Sequence, residues 1–120
     1  MPDVADATIR LRLPAQQDFV ALARATVRVV AGRVGCRDDA RTRLQAATGL
    51  AYFVLLDALA GDAATVTLTL TWDTDRVTAS LTSTPPPPDG SLSSLETLGD
   101  LADGHELVDH DHGVRLWVDL

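Results

Sequence analysis

The chain has 120 residues and carries 17 Asp and Glu against 10 Lys and Arg, for a formal net charge of −7. This length is typical of one domain with its own hydrophobic core, so residues 1–120 are expected to form a single unit. The negative charge argues against a nucleic acid or an anionic membrane as the main partner, because both select basic surfaces, and it favours a basic or neutral protein partner.

The chain begins with the pattern of a strand followed by a helix. Apolar and polar residues alternate strictly over Thr8–Leu13, which is typical of a half-buried strand. Apolar residues at helical spacing then predict a helix over Gln16–Val34. In this helix Leu22 belongs to the apolar stripe that is expected to be buried, while Arg24 and Arg28 lie away from that stripe.

A second helix is predicted from about residue 38 to about residue 60. Its second half is apolar on nearly every side, with Asp57 as the one charged residue. A helix of this kind is expected to be buried on more than one side and to form the spine of the core. Its longest apolar run, Leu50–Leu56, is too short to span a bilayer, and the first residues lack the features of a signal peptide. A cytoplasmic location is therefore expected.

The second half of the chain consists of strand patterns separated by turns. Strict alternation in two successive segments predicts an antiparallel hairpin. The proline run that follows predicts a stiff, solvated loop. The predicted elements, in order, are strands at Thr65–Trp72 and Arg76–Ser83, the Pro85–Pro88 loop, a short helix around Ser93–Leu101, and a last hairpin of Glu106–Val108 with Val114–Leu120.

The predicted strands are apolar on one face only, so one layer of helices is expected to cover one face of a sheet. The predicted fold is therefore of the α+β class: a two-layer α/β sandwich in which a mixed, mostly antiparallel sheet carries its helices on one face.

Order and spacing also resemble a known family. The segment TIRLRLPAQQDFVALARATVRVVAGRVG, the stretch over 38–67 and the final VRLWVDL are similar to the small histidine-kinase-like ATPase (GHKL) domains of bacterial anti-sigma regulatory factors. The resemblance implies the histidine-kinase-like ATPase fold. It also implies, for an intact member, binding of ATP and Mg²⁺ and serine/threonine protein kinase activity.

The resemblance further implies a glutamate, an asparagine and a histidine spaced four residues apart on the second helix. In this sequence those positions are Leu50, Val54 and Ala58. None of the three can coordinate Mg²⁺, which takes oxygen ligands. Shifting the alignment by one residue brings Asp57 to one of these positions but restores no glutamate.

Two further nucleotide elements of the family are also missing. The family's Asp-x-Gly-x-Gly turn after the third strand corresponds to Thr82–Pro86 here, where Thr82 and Thr84 stand without an aspartate or a glycine. The glycine-rich lid corresponds to 91–99, which holds only Gly99. The sequence is therefore interpreted as a degenerate member with no catalytic residue, no cofactor and no metal.

Three functional hypotheses follow from this interpretation. The first is a regulatory protein, related to anti-sigma factors, that binds a sigma factor, an antagonist protein or a second copy of itself. The alternative is an active ATP-dependent serine/threonine kinase with a divergent site that binds ATP and Mg²⁺. The third is a two-layer domain that holds a small ligand in an apolar pocket.

Several single residues remain as candidates. Trp117 and Arg115 are expected on the sheet face opposite the helices, where Trp117 is either an interface anchor or a lone surface aromatic. His105, His110 and His112 either form part of a transition-metal site or lie in a solvated turn. The single cysteine, at position 36, is expected to be buried or inert rather than nucleophilic. Asp57 is either a buried functional carboxylate or an exposed one near the end of its helix.

Overall fold

One five-stranded sheet forms the first layer of the molecule. A computed structural model describes residues 8–59, 63–92, 95, 101–108 and 112–120. The strands in chain order are Thr8–Pro14 (β1), Thr65–Trp72 (β2), Arg76–Thr84 (β3), Gly104–Val108 (β4) and Gly113–Asp119 (β5). They are hydrogen-bonded in the spatial order β1-β2-β3-β5-β4, and every neighbouring pair is antiparallel.

Within the described residues, two helices form the second layer. A short 3-10 turn at Gln17–Phe19 leads into α1 (Val20–Arg33), and α2 (Asp38–Ala58) follows after Gly35, which adopts a φ of 88°. The helices pack against each other, α1 contacts β2, and α2 contacts β3 and β5. The α+β two-layer sandwich predicted from the sequence is confirmed. Between described strands the sheet is purely antiparallel rather than mixed.

The core lies between the two layers because alternate strand residues point towards the helices. In β2 and β3 the inward-facing residues from Val66 to Leu70 and from Val77 to Leu81 are fully buried, whereas the Thr and Ser residues between them are half-buried on the other face. Buried residues from both helices complete the core. Its largest members are Tyr52, Leu44, Leu55, Leu68, Leu70, Leu81, Leu92, Leu95 and Leu116.

Element bounds differ from the predictions at a few places. The first helix begins at Val20 rather than Gln16, because Gln16 is extended, with φ −135° and ψ 146°. β4 begins at Gly104, two residues before the predicted start, since Gly104 pairs with Trp117 of β5. The predicted helix around 93–101 lies largely outside the described residues.

The second helix is buried on more than one side, against α1 and against the sheet, but its outward side is uncovered by any described segment. Leu50 and Phe53 of α2 are 36% and 41% exposed, and Leu22 of α1 is 47% exposed although it was assigned to the buried stripe. The reason is that no described segment covers the side of the helices that faces away from the sheet. Among the described segments, neither α1 nor α2 is long and apolar enough to cross a membrane.

Candidate functional site

The three α2 positions that the resemblance assigns to nucleotide binding lie in different surroundings. Leu50 is exposed and lines a shallow depression, Val54 packs against the core, and Ala58 is half-buried in the last turn of α2. Their side chains carry no oxygen that could hold a hard cation. The Thr48 hydroxyl is also unavailable because it is buried and donates to the Leu44 carbonyl at 2.7 Å.

The segment after β3 offers no carboxylate at the expected place. Thr82 pairs with Thr67 of β2, and Thr84 is exposed at the end of β3. The next aspartate, Asp89, has a largely exposed side chain and a 2.7 Å contact with the Nε2 atom of His112. A little further on, the chain enters the core through the fully buried Leu92.

Exposed apolar side chains from both helices lie instead on the outside of the helix layer. Four of the seven large apolar side chains that are exposed among the described residues belong to it. We call this region the outer helix surface. It consists of Leu22, Ala25 and Val29 of α1, Ala46, Leu50 and Phe53 of α2, and Arg24 and Arg28 in the seam between the two helices. Clusters of this kind mark interaction sites more often than isolated surface leucines do.

The seam is shaped by a close approach between Arg24 of α1 and Gly49 of α2. A Cβ atom built on Gly49 would lie 3.1 Å from the Arg24 Cδ atom. The missing side chain therefore leaves room for the aliphatic part of Arg24 to lie against α2. Arg24 lines a depression with Leu50 and Phe53 on one side of this contact and another with Arg28 on the other side. The arginine joins the two apolar stripes into one surface.

The α1 part of the outer helix surface is basic although the protein is acidic, whereas on α2 the exposed Asp57 follows Phe53 by four residues. The α1 sequence contains no Asp or Glu, and in the described part of the chain neither Arg24 nor Arg28 lies within 4 Å of a carboxylate. By contrast, Arg43 and Arg115 have carboxylate partners at 3.1 Å and 2.7 Å. The net charge of −7 therefore does not describe the charge of this surface.

Trp117 and Arg115 lie on the other layer, on the outer face of the sheet as predicted. Trp117 is half-buried, lies opposite Gly104, and has the Arg76 guanidinium 5.1 Å from its ring centroid. The Arg115 Nη1 atom donates to Glu106 Oε1 at 2.7 Å. Both side chains thus have partners within the chain, and they share no site with Leu50.

The histidines do not come together among the described residues. His105 lies in β4 opposite Leu116, and His112 contacts Asp89, while His110 lies outside the described residues. Within the described ranges, no three side chains of His, Cys, Asp or Glu are grouped as metal ligands would be.

The two remaining candidates are isolated. Cys36 is 7% exposed, and burial raises the pKa of its thiol while Arg41 acts in the opposite direction. A thiol of this kind is a poor nucleophile at neutral pH. Asp57 is exposed one residue before the end of α2.

The outer helix surface was missed by the sequence reasoning, although α1 carries a signal for it. Leu22, Ala25 and Val29 are spaced i, i+3 and i+7, which places them on one side of the helix. This second stripe lies beside the buried one. Leu22 was assigned to the buried stripe because helical spacing alone does not show where one stripe ends.

Neither a protein-family model nor a curated protein matches the sequence. Among solved structures, the chain is similar to the crystal structure of the RsbU and RsbW domains of Rv1364c from Mycobacterium tuberculosis, with a TM-score of 0.64 and 16% sequence identity. The match covers 94% of this chain and 32% of that chain, so this chain spans about a third of the matched chain. At this level of identity the likeness shows a shared fold.

Proposed function

We propose that this chain is a regulatory domain related to anti-sigma factors that acts by binding another protein and has lost nucleotide binding. One observation carries the proposal: Leu50, Val54 and Ala58 of α2 are all apolar. The described residues form the two-layer α/β sandwich that the sequence predicted. The similarity in fold to a chain that contains an RsbW domain supports the same family.

The loss of nucleotide binding follows from charge and coordination. A magnesium triphosphate carries several negative charges and needs oxygen ligands for its metal. Leu50 and Val54 supply none, and the segment Thr82–Pro86 has no carboxylate to accept an adenine amino group. We therefore assign the chain no catalytic residue and no cofactor, and we keep an ATP-dependent serine/threonine kinase as the alternative.

A domain without a nucleotide has no nucleotide-controlled switch, so its partner is bound constitutively. The proposed partner is a sigma factor or an antagonist protein, with a second copy of the chain as a further candidate. The outer helix surface is the part of the described structure best suited to such contact, because it combines exposed apolar groups with unpaired charge. The proposed place of action is the cytoplasm.

Affinity capture from a lysate of the source cells tests this proposal. The tagged chain is used as bait with and without ATP and Mg²⁺, and captured proteins are identified by mass spectrometry. Recovery of a sigma factor or an antagonist in equal amounts under both conditions supports the proposal. Recovery that depends on ATP and Mg²⁺ supports the kinase alternative, and recovery of no stable partner counts against both.

A further inference from the structure

We propose that the outer helix surface binds an acidic amphipathic helix of a partner protein. This inference rests on the proposed protein-binding function and specifies the chemistry of the partner. No described segment covers this surface.

The shape favours a helix as the occupant. Leu22 and Val29 form an apolar stripe along α1, and Leu50 and Phe53 form another along α2. Two packed helices lie about 8–10 Å apart, so their outer stripes border a groove into which the apolar face of a third helix fits. Helices that dock in this way present apolar residues at i, i+3, i+4 and i+7.

The charge favours an acidic helix. Arg24 and Arg28 lie in the seam between the stripes, and within the described part of the chain neither forms an ion pair. Asp or Glu residues on the flank of a docked helix would reach these guanidinium groups while its apolar face covers Leu50 and Phe53. The arginine stems contribute apolar contact as well, because long basic side chains bury their methylene groups under bound surfaces.

The remainder of the protein restricts where such a helix can bind. With a net charge of −7, the chain repels an acidic segment over most of its surface. A basic strip on an acidic molecule therefore fixes the position of an acidic partner and disfavours other orientations. A nucleic acid is a less suitable occupant, because its phosphates would leave Leu22, Val29 and Phe53 without apolar contact.

A synthetic peptide serves as the probe. It has 18 residues of Ala, Leu and Glu, with Leu at helical spacing and Glu along one flank, and carries a fluorescent label. One control peptide has the same composition with scattered leucines, and a second has Lys in place of Glu. Binding is measured by fluorescence anisotropy at low salt and again at high salt, where screening weakens ion pairs.

Four variants locate the binding. The double variant Arg24→Glu/Arg28→Glu tests the charge of the outer helix surface. The double variant Arg10→Glu/Arg12→Glu is its control, because it makes the same change of charge at two exposed positions of β1. Phe53→Ser tests the apolar stripe of α2. Leu120→Ser is the control, because it removes an apolar side chain of nearly equal exposure, 42% against 41% for Phe53. Circular dichroism verifies that each variant is folded.

The proposal predicts that the Glu peptide binds the unmodified chain and that both control peptides bind at least tenfold more weakly. Reversing the charge of Arg24 and Arg28 should weaken binding of the Glu peptide about tenfold or more, which is the effect of losing two ion pairs and adding repulsion. The same variant should bind the Lys peptide more tightly than the unmodified chain does. Phe53→Ser should also weaken binding, and the substitutions on β1 and at Leu120 should not.

Three outcomes would overturn the proposal. The first is that the Glu peptide does not bind, and the second is that Arg10→Glu/Arg12→Glu weakens its binding as much as Arg24→Glu/Arg28→Glu does. The third is that the chain sediments as a dimer and that Phe53→Ser dissociates this dimer. The last outcome would assign the surface to a second copy of the chain. None of these measurements involves nucleotide. If the peptide does not bind, the proposed function without nucleotide is unaffected. If the chain binds ATP in a Mg²⁺-dependent way, that proposed function is wrong, but the peptide result does not change.

Discussion

The Trp117 indole lies across the backbone of Gly104 on the neighbouring strand. The two residues are directly opposite each other in the β4–β5 ladder, and a Cβ atom built on Gly104 would lie 2.2 Å from Trp117 Cζ2. Glycine lowers the stability of a strand, but here its bare backbone provides the space that the indole occupies.

Gly104→Ala is therefore expected to displace the Trp117 indole and to lower the free energy of unfolding by about 1–3 kcal/mol, the usual cost of overpacking. In a Trp117→Ala background the same change should be neutral or stabilising, since alanine suits a strand better than glycine does. Urea unfolding of the four proteins of this cycle measures the coupling. If Gly104→Ala lowers the free energy of unfolding equally with and without the Trp117 indole, the indole is not the cause of the loss.

Tyr52 connects α2 to the end of β1. Its ring is fully buried, and its hydroxyl donates to the Pro14 carbonyl at 2.9 Å. Tyr52→Phe should destabilise the fold by about 1 kcal/mol because this hydrogen bond is lost, while the Gln16 N–H still donates to the Pro14 carbonyl at 2.8 Å. Phe53→Tyr is the matched control: it adds a hydroxyl at the neighbouring exposed position and should change stability by less than about 0.5 kcal/mol. Equal effects of the two substitutions in urea unfolding would disprove the role of this hydrogen bond.

Asp103 makes stability depend on pH. The backbone N–H of Asp119, 2.7 Å from Asp103 Oδ2, lowers the pKa of this carboxyl, and Arg43 adds to the effect. A carboxyl whose pKa is lower in the folded than in the unfolded state stabilises the fold above its unfolded pKa. That contribution is lost as pH falls through the folded pKa, so the loss is expected below about pH 4.

Asp103→Asn should reduce the slope of unfolding free energy against pH in this acidic range. Asp73 provides a second case, because the backbone N–H groups of Asp75 and Arg76 lower the pKa of its carboxyl. Asp73→Asn should reduce the slope independently. Unfolding in urea at several pH values between 2 and 6 gives the slopes, and unchanged slopes in both variants would show that other groups control acid stability.

The strands were the most predictable part of the fold. β2 occupies Thr65–Trp72 as expected, because alternation of threonine with large apolar residues fits only a strand with one buried face. The start of β4 was not predictable. A glycine is a poor strand signal, and its place in the sheet depends on Trp117, which lies 13 positions further along the chain.

The candidate site was less accessible to sequence reasoning. Helical spacing shows which side of α1 and α2 faces the sheet, but it does not show whether anything covers the opposite side. Leu22 was therefore assigned to the buried stripe and is exposed. The roles assigned to Leu50, Val54 and Ala58 came from the family resemblance alone and remain predictions.

The proposed loss of nucleotide binding is attributed to more than one missing element, and partial restoration of the family pattern examines this. Leu50→Glu combined with Val54→Asn returns two side chains of the family pattern to α2. We expect that this variant still fails to bind ATP, since Thr82–Pro86 lacks an aspartate and a glycine. Thermal shift with millimolar ATP and Mg²⁺ measures this. A clear stabilisation of the double variant would show that the two α2 positions alone had abolished binding.

Calorimetric titration of the unmodified chain with ATP and Mg²⁺ tests the central claim most directly. With leucine, valine and alanine at 50, 54 and 58, we predict no saturable heat up to millimolar nucleotide, with or without the metal. Saturable, Mg²⁺-dependent binding would contradict the account and would favour an active kinase with a divergent site.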